Sequence, residues 1–249
     1  MVIQPVKAVR PAEAPDIVKM SGVRFAWPSR DSFQLAVDEF TLRQGERLLL
    51  IGPSGGGKST FLSILAGIVA PQQGSVVVLG TDIAQLSGAA RDRFRAEHFG
   101  IIFQMFNLLP YGSILDNVLL PLSFSAARRK RAGVMRQVED EAARLLAILG
   151  IEPNLIRKAS AATLSVGQQQ RVAAARALIG APRIIIADEP TSSLDRDRQI
   201  AFLDLLFTVV SEAGATLIMV SHDESLGPRF SRVLPLGSIA SIAREEVQQ

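Results

Sequence analysis

The sequence predicts an α/β fold, a mainly parallel β-sheet with helices on both faces. Three observations predict it. Short apolar runs at residues 46–51, 183–187 and 216–220 have the length and composition of interior strands. Segments with helical periodicity or composition alternate with them, at residues 87–96, 126–149, 165–179 and 197–213. A glycine-rich turn, Gly52-Pro53-Ser54-Gly55-Gly56-Gly57-Lys58-Ser59-Thr60, joins the first of those strands to a helix-like apolar run.

Each element follows in chain order. Residues 1–15 hold Pro5, Pro11 and Pro15 and read as a flexible arm; residues 16–249 read as one domain. Residues 17–27 and 35–42 alternate apolar and polar side chains roughly by twos, as half-buried strands do. After the glycine-rich turn, Pro71 and Gly74 punctuate the chain and residues 75–79 form a strand. Residues 99–117 mix apolar and amide side chains around a single Pro110 and show no clear element. Residues 126–149 give the clearest helix, because Val134, Val138, Ala142, Leu145 and Leu149 recur at steps of three or four. Asp140 can pair there with Arg144 one turn on, and Gly150 ends the helix. Gly180 and Pro182 stop the helix at 165–179, and residues 232–236 form a last strand. The sequence shows no internal repeat and no low-complexity tract.

Composition excludes several function classes. The chain has 249 residues, 48% of them hydrophobic, enough for a core without disulfides or structural metal. It has no cysteine, which removes thiol catalysis and cysteine metal sites, and its only histidines are His98 and His222. Lys and Arg total 27 against 24 for Asp and Glu, a net +3 too small and too evenly spread to argue for nucleic acid as a ligand. The longest apolar stretch, residues 61–70, is about half of the ~20 residues that a bilayer requires, and the N-terminus has no apolar core of a secretory signal. The expectation is a cytoplasmic protein whose membrane role, if any, comes through a partner.

The glycine-rich turn carries the first chemistry. Gly52, four residues, then Gly57-Lys58-Ser59 is the P-loop spacing, in its strand-to-helix context. Glycines let the backbone curl so that several N–H groups face phosphate oxygens at the positive end of a helix. Lys58 reaches the β- and γ-phosphates and Ser59 offers its hydroxyl to Mg²⁺. Residues 184–189, Ile-Ile-Ile-Ala-Asp-Glu, place Asp188 at the C-terminal end of a central strand, where open α/β sheets bind ligands. Asp188 is a candidate Mg²⁺ ligand and Glu189 a candidate general base for an attacking water.

A third element opens the helix at 165: Leu164-Ser165-Val166-Gly167-Gln168. Together with Asp188-Glu189-Pro190-Thr191-Ser192-Ser193-Leu194-Asp195 and Ser221-His222-Asp223, it makes the chain resemble the ATP-binding-cassette ATPases from about Asp16 onward. The resemblance implies a P-loop NTPase of RecA-like fold with an N-terminal antiparallel β subdomain and an inserted helical subdomain at about 101–179, the core being about 16–100 and 180–249. It implies ATP as the ligand and a Mg²⁺-dependent ATPase. Gln104 matches the Q-loop glutamine, a ligand of Mg²⁺ and a contact of the attacking water. Ser165, Gly167 and Gln168 match signature residues that bind the ATP of a second copy, so the expected assembly is a head-to-tail homodimer. Asp195 matches the D-loop aspartate and His222 the histidine that contacts the γ-phosphate. Trp27 stands where an aromatic residue stacks on adenine, or else is a core tryptophan. Two positions depart from the usual pattern: Val166 replaces a glycine, and Gly56 a serine.

The segments between motifs narrow the resemblance. Residues 81–87, 91–95, 100–110 and 116–122 resemble the branch of lipoprotein-releasing and macrolide-efflux ATPases (LolD, MacB) and the cell-division ATPase FtsE. That branch implies an integral membrane permease as partner, contacted through residues 105–117, which run from Met105 to Asn117. Leu108, Leu109, Tyr111 and Ile114 either line a groove for a permease helix or pack inside the helical subdomain. The cassette would then sit on the inner face of the membrane. The alternative within the branch is a regulator of the cell envelope that moves no substrate. A soluble cassette of DNA repair or of the ribosome fits less well, since there is one cassette, no heptad run and no basic tail. His98 reads as a solvated or capping histidine. Residues 128–131, Arg-Arg-Lys-Arg, read as a solvated basic face or as a contact for acidic headgroups or a membrane partner.

Overall fold

A computed structural model describes residues 14–28, 33–134, 136–156 and 159–243. The arm expected at residues 1–15 lies outside the described residues except for Ala14 and Pro15. Two sheets organise the rest. One is antiparallel and joins β1 (Asp16–Ala26), β2 (Gln34–Arg43), β4 (Gln73–Val78), β5 (Thr81–Asp82) and β10 (Ser241–Ala243) in the order β10-β2-β1-β4-β5. The other joins β3 (Arg47–Ile51), β6 (Phe99–Ile102), β7 (Ile184–Asp188), β8 (Thr216–Ser221) and β9 (Arg232–Pro235) in the order β6-β7-β8-β3-β9, with every pair parallel.

The parallel strands are apolar throughout because both faces are covered. Leu48 and Leu50 of β3, Ile184 and Ile186 of β7, and Ile218 and Val220 of β8 face one core. That core is shared with α1 (Lys58–Leu65) and the antiparallel sheet. Leu49, Ile185, Ala187, Leu217 and Met219 point the other way. They meet α3 (Ile114–Leu119), α5 (Arg136–Ile148), α7 (Val166–Leu178) and α8 (Arg196–Glu212). The short α6 (Pro153–Ile156) adds Ile156 to that second core, and α2 (Gly88–His98) leads into β6. Among the described residues no helix is long and apolar enough to cross a membrane.

Several expectations change on the structure. Residues 99–117 are not irregular throughout: Phe99–Ile102 is the edge strand β6, and Ser113 caps α3 in a reciprocal capping box with Asp116. The long helix at 126–149 is two helices, α4 (Ala126–Ala132) and α5, because Gly133 takes φ 116°, a conformation that side chains disfavour. Val134 is therefore exposed rather than part of an apolar stripe. Arg144 pairs with Glu141 and Glu212, not with Asp140. The apolar run at 61–70 is helical only to Leu65, and Gly67 turns the chain away at φ 65°. His98 lies half-buried against Phe94, ring centroids 4.5 Å apart.

The basic run is a solvated face at Arg129, Lys130 and Arg131 but not at Arg128. Arg128 is 2% exposed. Its guanidinium donates to the carbonyls of Phe99 (3.1 Å), Ala177 (3.0 Å) and Ile179. It has no carboxylate partner among the described residues, and burial pushes its pKa down to about 10. The carbonyls belong to the start of β6 and the C-terminal end of α7, where the helix dipole favours a cation. Arg131 adds a bond to Gly180 O at 2.8 Å. Beneath them β6 and α7 approach so closely that a Cβ on Gly100 would lie 2.1 Å from Ala177 O.

Two outcomes test this joint. Arg128→Met leaves buried carbonyls without donors, and urea unfolding should show a loss of about 3 kcal/mol. Gly100→Ala forces β6 from α7, and the same measurement should show a loss of at least ~1.5 kcal/mol, against under ~0.5 kcal/mol for Gly88→Ala, whose Cβ meets nothing within 4 Å.

Candidate nucleotide site

The parallel register builds the site. Ile51 of β3 lies beside Ser221 of β8, and Asp188 of β7 beside Val220. Ile102 of β6 lies beside Ala187. Four neighbouring strands thus end at one edge, and the four loops that leave them carry Gln104, Asp188-Glu189, His222 and the glycine-rich turn. Ligands of open α/β sheets bind at this carboxyl edge.

Within the turn, Gly57 is the N-cap of α1 at φ 78°, and a Cβ there would lie 2.9 Å from the Ile242 side chain. A Cβ on Gly56 would meet Pro53 O at 2.8 Å, so the serine common at this position would not fit this backbone. No side chain caps α1, so its first N–H groups stay available for a ligand. Lys58 is 5% exposed, and its ammonium donates to Gly52 O (2.8 Å) and Pro53 O (2.9 Å). It also lies 3.3 Å from Glu189 Oε1.

Glu189 is the hub. Its backbone N–H extends the ladder by bonding Val220 O, yet its φ is 44°, which is strained for a residue with a side chain. Oε2 lies 3.2 Å from Nδ1 of the exposed His222. Asp188, one residue earlier, has its pKa raised chiefly by burial. The Ser59 hydroxyl opposes that rise, Glu189 adds to it, and Lys58 opposes it. A cavity of about 380 Å³ opens between these groups, lined by Trp27, Phe33, residues 54–60, Gln104 and Glu189. Trp27 packs edge-on against Phe25, ring centroids 5.0 Å apart, and donates from Nε1 to Thr60 Oγ1 at 3.3 Å.

Of the residues singled out in the sequence, the structure gathers Trp27, Ser54, Gly55, Gly56, Gly57, Lys58, Ser59, Thr60, Gln104 and Glu189 around one cavity. Gly52 and Pro53 hold Lys58 from below, and His222 joins through Glu189. Ser165, Gly167, Gln168 and Asp195 are not brought to it. Ser165 caps α7 in a box with Gln168: Gln168 N reaches Ser165 Oγ at 3.4 Å, and Ser165 N reaches Gln168 Oε1 at 2.9 Å. Val166 follows, half exposed. Asp195 caps α8 and pairs with Arg198 at 3.2 Å.

Three residues went unread in the sequence. Phe33 lines the cavity from just before β2; a lone aromatic after a run of polar residues gave little signal. Gln170, 1% exposed, donates to Pro190 O at 2.7 Å and so holds the turn after Glu189. Arg176 bonds the loop after Gln104. Neither pairing leaves any local pattern. Beside that loop lies a second, more apolar cavity of about 550 Å³, with Phe103, Asn107, Leu120 and Phe124 on its walls. Leu108, Leu109, Tyr111 and Ile114 do not line it; Ile114 is a core residue instead, while Met105 and Tyr111 stand out into solvent.

Comparison with known proteins agrees with this geometry. The family profile described as ABC transporter matches residues 35–192. The lipoprotein-releasing system ATP-binding protein LolD 1 of Caulobacter vibrioides is 40% identical over 209 residues, which is 83% of this chain and 86% of the relative. The ABC transporter ATP-binding protein YbbA of Escherichia coli K12, itself described as uncharacterized, is 42% identical over 80% of this chain and 83% of its own length. A solved dimeric ATP-binding cassette in a post-hydrolysis state, bound to ADP and Pi, has a TM-score of 0.74 at 32% identity, covering 88% of this chain and 93% of that one. With P-loop, acidic strand end and histidine at one sheet edge, and with this profile over most of its length, the chain belongs to the ABC transporter family as an ATP-binding cassette ATPase.

Proposed function

We propose that the chain hydrolyses ATP as one half of a head-to-tail homodimer and drives an integral membrane permease of the lipoprotein-release type from the inner face of the membrane. The observation that carries the reading is the division of parts. The P-loop, Glu189, His222 and Gln104 surround one cavity, while the exposed signature turn of the same chain does not line it. A second copy supplies Ser165, Gly167 and Gln168 across the triphosphate, with Asp195 beside the interface.

The residues divide the labour. P-loop N–H groups and Lys58 take the phosphates, and Trp27 stacks on the adenine. Water attacks the γ-phosphorus and its proton passes to the Glu189 carboxylate, as the bond to the bridging oxygen breaks. His222 and Ser165 of the second copy steady the γ-phosphoryl oxygens. Lys58 lies against one oxygen of Glu189 and His222 against the other. An arriving triphosphate competes for Lys58 and frees the base. The donor set fits Mg²⁺: Ser59, Asp188 and Gln104 offer oxygen only, and Asp188 is a largely buried carboxyl bonded to the Ser59 hydroxyl. When bound, Mg²⁺ neutralises charge developing between the β- and γ-phosphates.

The permease side rests on the apolar cavity beside the loop that follows Gln104 and on the exposed Met105 and Tyr111 of the segment from 105 to 117. Together they offer an amphipathic helix a seat. The similarity to LolD 1 of Caulobacter vibrioides supports the lipoprotein-release assignment.

Glu189→Gln should bind ATP, form a stable dimer in gel filtration, and turn over roughly 10²–10⁴-fold more slowly; normal turnover in that variant removes Glu189 as the base. Mixing Ser165→Arg chains with Lys58→Ala chains should restore activity that neither variant has alone. One composite site in each mixed dimer is then intact, and a mixture as dead as its components contradicts the shared site.

A further inference from the structure

The helix that carries the signature turn also grips the loop that carries Gln104. Arg176 lies on α7, eleven residues beyond Ser165 and therefore about 16 Å along the axis. Its guanidinium is 8% exposed and donates to two consecutive carbonyls, those of Phe106 and Asn107 (2.7 Å to the latter). No acidic side chain pairs with it among the described residues, and burial lowers its pKa. Phe106 and Asn107 both sit at positive φ, 57° and 49°. Two side-chain-bearing residues in succession rarely adopt that conformation unless something holds them. It also turns their carbonyls to one side, where a planar fork can take both. Asn117 fixes the far end of the same loop, accepting from Leu109 N at 2.7 Å and donating to Leu109 O at 3.1 Å.

We propose that Arg176 is a positioning residue for the ATPase reaction: it locks the Phe106-Asn107 kink, thereby sets Gln104 two residues upstream, and ties that setting to the orientation of the signature turn on its own helix. The inference rests on the proposed function, since Gln104 and Ser165 must serve hydrolysis for their linkage to matter. Arg176 and Asn107 also form part of the wall of the apolar cavity beside the loop. Whatever fills that cavity therefore bears directly on the clamp, and displacement of the loop is passed to α7 through two hydrogen bonds rather than through loose packing.

The test compares Arg176→Lys and Arg176→Met with the wild type, in the presence and absence of Gln104→Ala. Both single variants should bind ATP within threefold of the wild type while kcat falls at least tenfold. Amides at 105–109 should exchange at least tenfold faster, with those at 172–175 unchanged. In the Gln104→Ala background either Arg176 change should cost less than threefold, because the residue it positions is gone. Full additivity with Gln104→Ala, or an unchanged kcat in a folded variant, overturns the proposal. Asn107→Val puts a β-branched side chain at φ 49°, a conformation it disfavours, and so unsettles the clamped kink from the other side without touching α7. It should lower kcat at least threefold with ATP affinity preserved, so an unaltered kcat there also overturns the proposal, even where the Arg176 variants fail to fold. A wild-type protein that binds ATP but never turns it over defeats the proposed function itself, and the linkage with it.

Discussion

Everything at the site depends on the register of four parallel strands. β6, β7, β8 and β3 end level with one another, and the loops that leave them bring residues from positions 52, 104, 188 and 222 within one side chain's reach. The register is itself fixed by burial on both faces. A slip of one residue in β7 would exchange Ile184 and Ile186 with Ile185 and Ala187, and push a smaller side chain into the layer shared with α1. At about 0.8 kcal/mol per buried methylene, such an exchange is disfavoured by several kcal/mol. The chemistry inherits its precision from hydrophobic packing that has no chemical role.

Against that rigid edge the Lys58–Glu189–His222 chain stands out as the part built to change. Most ion pairs among the described residues, such as Arg24 with Asp38 at 2.7 Å, lie in solvent and contribute about 0–1 kcal/mol. Lys58 and Glu189 are nearly buried, and a buried pair gains little over its desolvation cost. Their contact is better understood as a placeholder. Lys58 also bonds Gly52 O and Pro53 O, and Glu189 also meets His222, so phosphate can take the place of their contact without leaving either charge bare. Stability and readiness are separate demands here, met by different residues.

Legibility in the sequence followed the range of the interactions. The turn at 52–60, the strand ending in Asp188 and the helix that opens at residue 165 are local, so all three could be read in the sequence. The capping box of Ser165 with Gln168 is written within four residues. The breaks were harder. Gly133 was masked by the apolar periodicity that begins directly after it at Val134, and β6 is four residues long with a glycine inside it. What was not legible is side-chain to main-chain bonding over long separations. Arg128, Gln170 and Arg176 all bond carbonyls, and a carbonyl has no residue type to read. A buried arginine that answers no carboxylate leaves no complementary charge in the sequence, so a run of basic residues looked like surface when one of them was a core staple.

The same three side chains tie the helical half to the catalytic edge. Gln170 holds the turn after Glu189, Arg176 holds the loop after Gln104, and Arg128 fastens the end of α7 to the start of β6. α7 therefore touches two of the four loops that form the edge, while its first turn faces outward. A helix is stiff over about 16 Å, so an angular change imposed at its bonded end reappears at Ser165 with little loss. On the proposed function, that geometry makes a nucleotide held between two copies sensitive to the loop beside the apolar cavity. Polar bonds suit this better than apolar contact: two short donor–acceptor distances define an angle, whereas packed methyl groups permit sliding.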